Sequence, residues 1–453
     1  MVWFRRDLRV HDLPALAAAR ASAATVAPLF VFDDALLHGR WPSPNRVAFL
    51  IGSLRALDAA LRALGSRLHL RRGRPADVVP AFVAECGATA VFVSRDYTPY
   101  GRRRDAEVAR ALGTIPLHQH PGVLIQEPEA VLKPDGSPYT VFTPFRRRWE
   151  ALPRRRILPA PLDLPTPEGI AVGTIPNDIP ASPSAESILA SGEEAARQRL
   201  DRFVSSGLAG YAGGRNDLGT PRTSRLSQDL RWGLLSPLEV ATRCAASESF
   251  VAELVWREFY AHILYHYPLV RTTAFQARFR EIRWRNDPDD IAAWKAGKTG
   301  YPVVDAAMRE LQATGFVHNR ARMIVASFLT KQLLVDWRIG EAHFMEHLVD
   351  GDLASNNGGW QWTAGVGTDA APYFRVFNSV LQGERFDPDG LYVRRWIPAL
   401  RHVPTRFVHQ PWQMPPTLQA EVGCRIGLDY PAPIVDLDQS RQRALAAYRA
   451  AEA

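Results

Sequence analysis

Val26-Ala-Pro-Leu-Phe-Val-Phe32 is a short, almost wholly apolar run near the start of the chain. A run of this length without alternation reads as a strand buried on both faces. The period then changes. Asn45 is placed to cap a helix whose apolar positions are Val47, Leu50, Ile51, Leu54, Leu57, Leu61 and Leu64, with Gly65 as its stop. Residues 68–70 return to a strand pattern, 75–86 to a helix opened by Pro75, 90–94 to a strand and 102–112 to a helix. Strands alternating with helices predict an α/β domain built on a doubly wound parallel sheet. No GxGxxG follows the first strand, so the domain carries no dinucleotide fingerprint.

Working outward, eight prolines fall between Pro153 and Pro183, with few long apolar periods. That composition predicts a linker wrapped over its neighbours. From Glu193 onward helical patterns dominate, and nine of the 12 tryptophans lie between Trp232 and Trp412. The expected plan is an α/β domain over residues 1–127, a long linker over 128–192 and an all-α domain over 193–453 that carries the chemistry.

The bulk numbers restrict the function classes. Net charge is +8, and only Lys133, Lys295, Lys298 and Lys331 of the 55 basic residues are lysines. An arginine-rich, moderately basic chain is compatible with nucleic acid, since guanidinium grips phosphate bidentately. Cys86, Cys244 and Cys424 are far apart and form no CxxC, which points to a reduced, cytoplasmic protein without a disulfide framework or zinc ribbon. Neither a signal peptide nor an apolar run of about 20 residues is present, so no membrane association is expected.

The densest polar stretch is Asp350-Gly-Asp-Leu-Ala-Ser-Asn-Asn-Gly-Gly-Trp-Gln-Trp362. Each buried polar group needs a hydrogen-bond partner, so such a segment suits a ligand site better than a core helix. Trp360 and Trp362 would project about 200° apart on a helix, towards two different neighbours. Three further groupings carry potential chemistry. Tyr211, Arg215 and the run Arg222-Thr-Ser-Arg-Leu-Ser227 put hydroxyls at the start of a predicted helix, either as an anion site or as an ordinary N-cap. Glu253, Trp256, Arg257 and Tyr260 share one helical face, suited to an aromatic ligand with polar edges or to a salt-bridged flank. His318-Asn-Arg-Ala-Arg-Met323 sets Asn319 and Met323 one turn apart, while Arg320 and Arg322 can serve a phosphate, pair with Asp350 and Asp352, or form a basic helix surface.

Other motifs carry less. His343-Phe-Met-Glu-His347 fits an inverted zinc-protease pattern, but a lone five-residue match predicts no metal. His262 and His266 lack a catalytic glutamate between them. Gly365-Val-Gly-Thr-Asp-Ala370 matches GxGxxA without the preceding strand.

Taken together the blocks resemble the photolyase/cryptochrome family of flavoproteins, most closely its class I cyclobutane pyrimidine dimer photolyases. The similarity runs from Trp3-Phe-Arg-Arg-Asp-Leu-Arg9 through Thr223–Ser227, Trp256-Arg-Glu-Phe-Tyr260, Lys298-Thr-Gly-Tyr-Pro302, His318-Asn-Arg320 and the 350–362 segment to Asp369-Ala-Ala-Pro-Tyr-Phe-Arg375. It implies one non-covalent FAD in the helical domain. Tyr211, Thr223, Ser224, Arg225, Leu226 and Ser227 match positions at its phosphates. Asp350, Gly351 and Asp352 match positions on the flavin side, with Arg322 as partner of Asp350, and Asn356 matches a place beside flavin N5.

The resemblance also implies light-driven repair, in which reduced FAD lends an electron to a flipped-out dimer and the ring splits. Glu253, Asn356 and Met323 match catalytic positions. Arg215, Trp256, Arg257, Tyr260, Asn319, Arg320, Trp362 and Gln382 match DNA- or dimer-side positions. Trp360, Trp337 and Trp284 match a tryptophan chain that reduces oxidised flavin. Folate-antenna members carry Asn-Glu where this chain has Tyr100-Gly101, so a deazaflavin or flavin antenna, or none, is expected instead. The partner is damaged DNA and the expected state a monomer. Rival readings are a signalling cryptochrome, a (6-4) photolyase and a non-catalytic DNA binder. The chain ends without a long tail, Asn356 is the photolyase-type residue, and Met323 lies one turn from His318-Asn319, all of which favour dimer repair.

Overall fold

The computed structural model describes residues 1–179 and 189–452. The stretch 180–188 of the expected linker, with Pro180 and Pro183, lies outside the described residues. The chain forms two compact units, each discontinuous in sequence. The first contains Met1–Ala209, Ser224–Pro268 and Val349–Ala354; the second contains Gly210–Thr223, Leu269–Leu348 and Ser355–Ala453.

The first unit is built on five parallel strands, β1 (Val2–Phe4), β2 (Pro28–Phe32), β3 (His69–Arg72), β4 (Val91–Ser94) and β5 (Leu117–His120), in the order β3-β2-β1-β4-β5. This is the doubly wound α/β arrangement the sequence predicts. Side chains alternate across the sheet, so Trp3, Leu29, Val31, Val91 and Val93 fill one core with Val79, Phe82, Val108 and Leu112 from the flanking helices. The strand order reverses between β1 and β4. Ligand crevices in such sheets open at the carboxyl ends of the strands at that switch point, and Arg5, Arg6 and Asp96 are the residues found there.

Local chemistry explains the helix starts and corrects two expectations. Ser43, rather than Asn45, caps the Pro44–Ala63 helix, its hydroxyl accepting from the Arg46 N–H at 3.4 Å. Pro44 takes the first helical position, where no N–H is needed. Thr98 caps Pro99–Ala111 by accepting from Gly101, which starts that helix three residues before the predicted Arg102. Within the expected linker a ten-residue helix, Phe142–Ala151, buries Phe145 and Trp149. The Trp149 indole donates to the buried Glu258 at 2.5 Å, and the Gln126 N–H donates to the same carboxylate at 3.1 Å. Removing such a carboxylate would strand these donors at about 1–3 kcal/mol each.

The second unit is helical. Its core joins Trp294, Trp337, Trp360, Tyr392, Tyr430 and Tyr448 to aliphatic residues of the Pro302–Thr314, Asn319–Ser327 and Trp337–His347 helices. Among the described residues no helix is long and apolar enough to cross a membrane.

Candidate functional site: an arginine-rich crevice, a substrate-sized cavity and a tryptophan helix

In the first unit the switch-point crevice is electrostatically unusual. Arg6 pairs with Asp352 at 2.5 Å, 346 residues away in sequence, and lies 3.9 Å from Asp96. The Arg231 Nε donates to the Gly351 carbonyl at 2.8 Å, and Arg257 donates to the Val123 carbonyl at 3.0 Å. Burial pushes the Arg231 guanidinium down to about 9, with Arg6 and Arg46 adding repulsion. Burial likewise brings Arg46 to about 10, against the attraction of Asp350. Burial pushes Asp96 upward, but Arg6, Arg104 and Arg5 outweigh it and hold the carboxyl at about 2.

The Arg6, Arg46, Arg231 and Arg257 guanidiniums thus share this region with Asp96, Asp350 and Asp352, while Arg5 and Arg104 pair with Asp105. Buried positive charge in excess calls for an anionic or strongly accepting ligand. Among the described residues, the Arg6 Nε, Arg231 Nη1 and Arg257 Nη1 atoms are buried without a hydrogen-bond partner, so donors remain for such a ligand. The donor set fits a flavin nucleotide, whose carbonyls, ring nitrogens and phosphates all accept.

The remaining predicted residues of this unit lie on two elements. Arg225 has φ +54, in a region that residues bearing a β-carbon rarely adopt. Its carbonyl accepts from Gln228 and the Ser224 hydroxyl accepts from the Leu226 N–H, forming the turn into the Ser227–Trp232 helix. The Glu248–His266 helix carries Glu253, Trp256, Arg257 and Tyr260, all half-buried, on one face. Trp256 is stacked by Phe142 at 3.8 Å and 3°, with Tyr260 beside it at 5.5 Å.

The second unit holds a cavity of about 570 Å³ lined by Asn216, Arg320, Met323, Trp362, Gln382 and neighbours from 375–386. Four predicted dimer-side residues, from three separate helices, therefore meet around one space. Arg320 is held by two hydrogen bonds to Asn216 Oδ1, at 2.8 and 3.2 Å, and lies 4.5 Å over the Phe386 ring. Asn319 opens the Asn319–Ser327 helix. Arg322, on the same helix, donates to the Val317 carbonyl at 2.7 Å. Tyr211 is buried at a helix start, with Arg215 at 5.7 Å from its ring, and Thr223 closes the same segment.

The Leu353–Ala364 helix does turn its two tryptophans to opposite sides. Trp362 lines the cavity, whereas Trp360 is only 3% exposed, edge-on to Phe344 at 5.2 Å and Trp294 at 6.1 Å. Trp337 is buried in the same core and the half-buried Trp284 packs against it. Gly340 makes room for Trp360, since a Cβ there would stand 2.1 Å from the indole. The Asn356 amide donates to the Glu341 carbonyl at 3.0 Å, which directs its own carbonyl oxygen away as an acceptor. Asn357 and Gln361 have a different task. They hydrogen-bond each other and the Val270 carbonyl, tying this helix to the 270–275 loop.

A model of the FAD binding domain of DNA photolyase matches residues 250–450, and a DNA photolyase model matches residues 1–168. A deoxyribodipyrimidine photo-lyase of Streptomyces griseus is 42% identical over 98% of this chain and 97% of its own length. The chain belongs to the DNA photolyase/cryptochrome family. Among solved structures, a bacterial class III photolyase from Agrobacterium tumefaciens superimposes with a TM-score of 0.93 at 38% identity, covering 100% of this chain and 97% of that one. A Synechocystis cryptochrome gives 0.90 at 31%, covering 98% of each.

Family membership supplies the FAD, and the structure bears on the antenna. At Gly101 a Cβ would stand 2.1 Å from the Asp96 Cγ, so any side chain there would require Asp96 to move. Tyr100 hydrogen-bonds Asp33. Several residues that shape the crevice, the cavity and the tryptophan helix leave no local signal in the sequence: Arg6, Arg231, Asn216, Phe142 and Gly340. Arg6 alone falls within a block of the family resemblance, Trp3–Arg9. The others act through contacts between distant segments, which local spacing does not encode.

Proposed function

We propose that this chain repairs cyclobutane pyrimidine dimers in DNA, using light. When bound and reduced, FAD supplies the electron that opens the cyclobutane ring, and the electron returns once the pyrimidines part. The protein's share is to hold both reactants and keep water away. The single observation that carries this reading is the cavity of about 570 Å³ that gathers Arg320, Met323, Trp362 and Gln382. It is of a size that takes a drug-sized planar ligand, and a flipped dimer is such a ligand.

In this reading Trp362 stacks on the dimer, Met323 fills apolar space and Arg320, fixed by Asn216, offers its free guanidinium edge. Trp256, Tyr260 and Glu253 address the dimer from the Glu248–His266 helix, with Glu253 hydrogen-bonding a pyrimidine carbonyl as charge develops. Arg215, Arg257, Asn319 and Gln382 complete the DNA-side set. Tyr211 and Thr223–Ser227 hold the FAD phosphates. Asp350, Gly351, Asp352 and Arg322 would hold the flavin side, and the Asn356 amide would be able to accept a hydrogen bond from the flavin there. The surplus guanidinium charge around Asp352 favours a flavin in its reduced, anionic form. Trp360, Trp337 and Trp284 feed electrons inward to that flavin.

The protein would work as a monomer beside DNA in the cytoplasm, where its three free thiols stay reduced. For the antenna, a deazaflavin or flavin, or none, agrees with Tyr100-Gly101 better than folate does. The test is a dimer-containing oligonucleotide incubated with FAD-reduced protein under blue light. Restored pyrimidines in the light and none in the dark are expected. No repair with FAD fully bound and reduced would reject the proposal and leave the cryptochrome reading. Repair of (6-4) lesions alone would substitute the other photolyase activity.

A further inference from the structure

Directly after the Asn319–Ser327 helix, the Phe328–Gln332 segment winds as a π-turn, with the Leu333 N–H donating to the Phe328 carbonyl at 3.0 Å. Such a turn holds one residue more than an α-turn and recurs at functional sites. Two of its side chains, and Ser327 just before it, reach one short stretch of backbone. The Lys331 ammonium donates to the Tyr373 carbonyl at 3.0 Å, and the Gln332 amide donates to the Phe377 carbonyl. The Ser327 hydroxyl accepts from the Phe377 N–H at 3.3 Å. In an α-helix residue i+5 stands about 140° round from residue i. The wider turn brings Gln332 back towards Ser327, so that both can bond to Phe377.

The stretch they reach, 372–378, has no helix or strand of its own. Its internal backbone bonds run from the Arg375 N–H to the Pro372 carbonyl at 2.9 Å and from the Val376 N–H to the Phe374 carbonyl at 3.1 Å. Its placement therefore depends on partners outside it. Arg375, Val376 and Phe377 line the same cavity as Arg320 and Met323 of the Asn319–Ser327 helix. One wall is a helix and another a loop, and the three tethers leave from the end of that helix. They fix the spacing between the two walls.

Lys331 is the costliest of the three. It is only 1% exposed, and among the described residues no carboxylate pairs with it. Besides the Tyr373 carbonyl, its ammonium meets the Tyr448 ring at 4.0 Å, and that ring stacks on Tyr373 at 5.6 Å and 5°. Burying a cation with so few partners is expensive, whereas a methionine would pack there without that cost. What the ammonium adds is its hold on the loop. We propose that Lys331, Gln332 and Ser327 are positioning residues that set the loop wall of the cavity, and with it the affinity for the flipped dimer, without sharing in electron transfer. This rests on the reading of the cavity as the dimer's place.

Lys331→Met and Ser327→Ala are compared with the parent as full-length, FAD-bound proteins. Hydrogen exchange of the 374–378 amides is followed without DNA. Dark affinity for a dimer-containing oligonucleotide is read by anisotropy, and the repair rate is read under blue light at saturating oligonucleotide. In each variant the loop should exchange faster and the oligonucleotide bind more weakly by about 2–12-fold, the worth of one hydrogen bond. The saturated repair rate and the FAD content should stay at the parent's values, whereas general damage to the fold would lower both. Unchanged exchange in both variants would refute the tethers. Faster exchange with unchanged affinity, or with a fallen saturated rate, would refute their role at the substrate wall. If one variant does not fold, the other decides. A parent that binds damaged and undamaged oligonucleotide alike would sink the reading of the cavity and this proposal together, while unchanged exchange sinks this proposal alone.

Discussion

Gly340→Ala is the most incisive perturbation of the tryptophan helix. A Cβ at this position would lie 2.1 and 2.3 Å from two carbons of the Trp360 indole and 2.7 Å from the Leu329 Cδ2. Carbon atoms settle at about 3.5–4.0 Å, so the ring must retreat by about 1.4 Å or more. It has nowhere easy to go, because Phe344 and Trp294 already hold it edge-on. Overpacking of this kind costs about 1–3 kcal/mol. At about 2–4 °C per kcal/mol for a unit of this size, the thermal midpoint should drop by about 2–12 °C. Light-driven reduction of the oxidised flavin should slow as well, since a shift of about 1 Å in a reacting group is expensive. Calorimetry gives the first number and flash photolysis the second. An unchanged midpoint would refute the packing argument. A lowered midpoint with unchanged photoreduction would refute the role of Trp360 as electron donor while leaving the packing intact.

Phe142→Ala removes the 3.8 Å stack on Trp256; at about 0.5–1.5 kcal/mol for an aromatic pair, dimer-oligonucleotide binding should weaken by about 2–12-fold with FAD content unchanged, as read by fluorescence anisotropy. Asp96 is held at about 2 in the fold against 3.8 unperturbed, so its contribution is fully present above about pH 4 and disappears as pH falls through 2. Asp96→Asn should therefore cost about 2 kcal/mol near neutrality and lose that part of the acid dependence, a difference measurable in urea melts from pH 7 to pH 2. Lys331 runs the other way: burial lowers it to about 7 from 10.5, so the unfolded chain holds a proton that the fold lacks between those values. Stability should rise with pH across that window, and Lys331→Met should flatten the rise when melting temperatures are compared at pH 7 and pH 9.

The long periodic segments of this chain were readable and the short or relational ones were not. The Pro75–Cys86 helix matches its predicted bounds because proline opens it and Gly87, at φ +62, closes it. β1 is only Val-Trp-Phe, too brief to show a period, and β5 reads Leu-His-Gln-His, an edge strand whose polarity disguises it. The opposed faces of Trp360 and Trp362 followed from helical geometry. The partner of Asp352 did not, for Arg6 lies just beyond β1 at the other end of the chain. Family resemblance, carried by ordered blocks, proved far more telling about chemistry than any isolated spacing. The same resemblance could not foresee the stacking of Phe142 on Trp256, because Phe142 sits in a segment that reads as linker.

The ion pair between Arg6 and Asp352 also sets a schedule for biosynthesis. Both residues belong to the first unit, yet 346 residues separate them. At about 5–20 residues per second, a ribosome needs roughly 20–70 s to supply the second partner after the first. Throughout that interval the nascent sheet has Asp96 beside Arg6 but lacks the Asp352 carboxylate that pairs with it. Completion of the N-terminal unit is thus an event late in translation, and a chain stalled before residue 349 would carry an electropositive cleft open to any polyanion nearby.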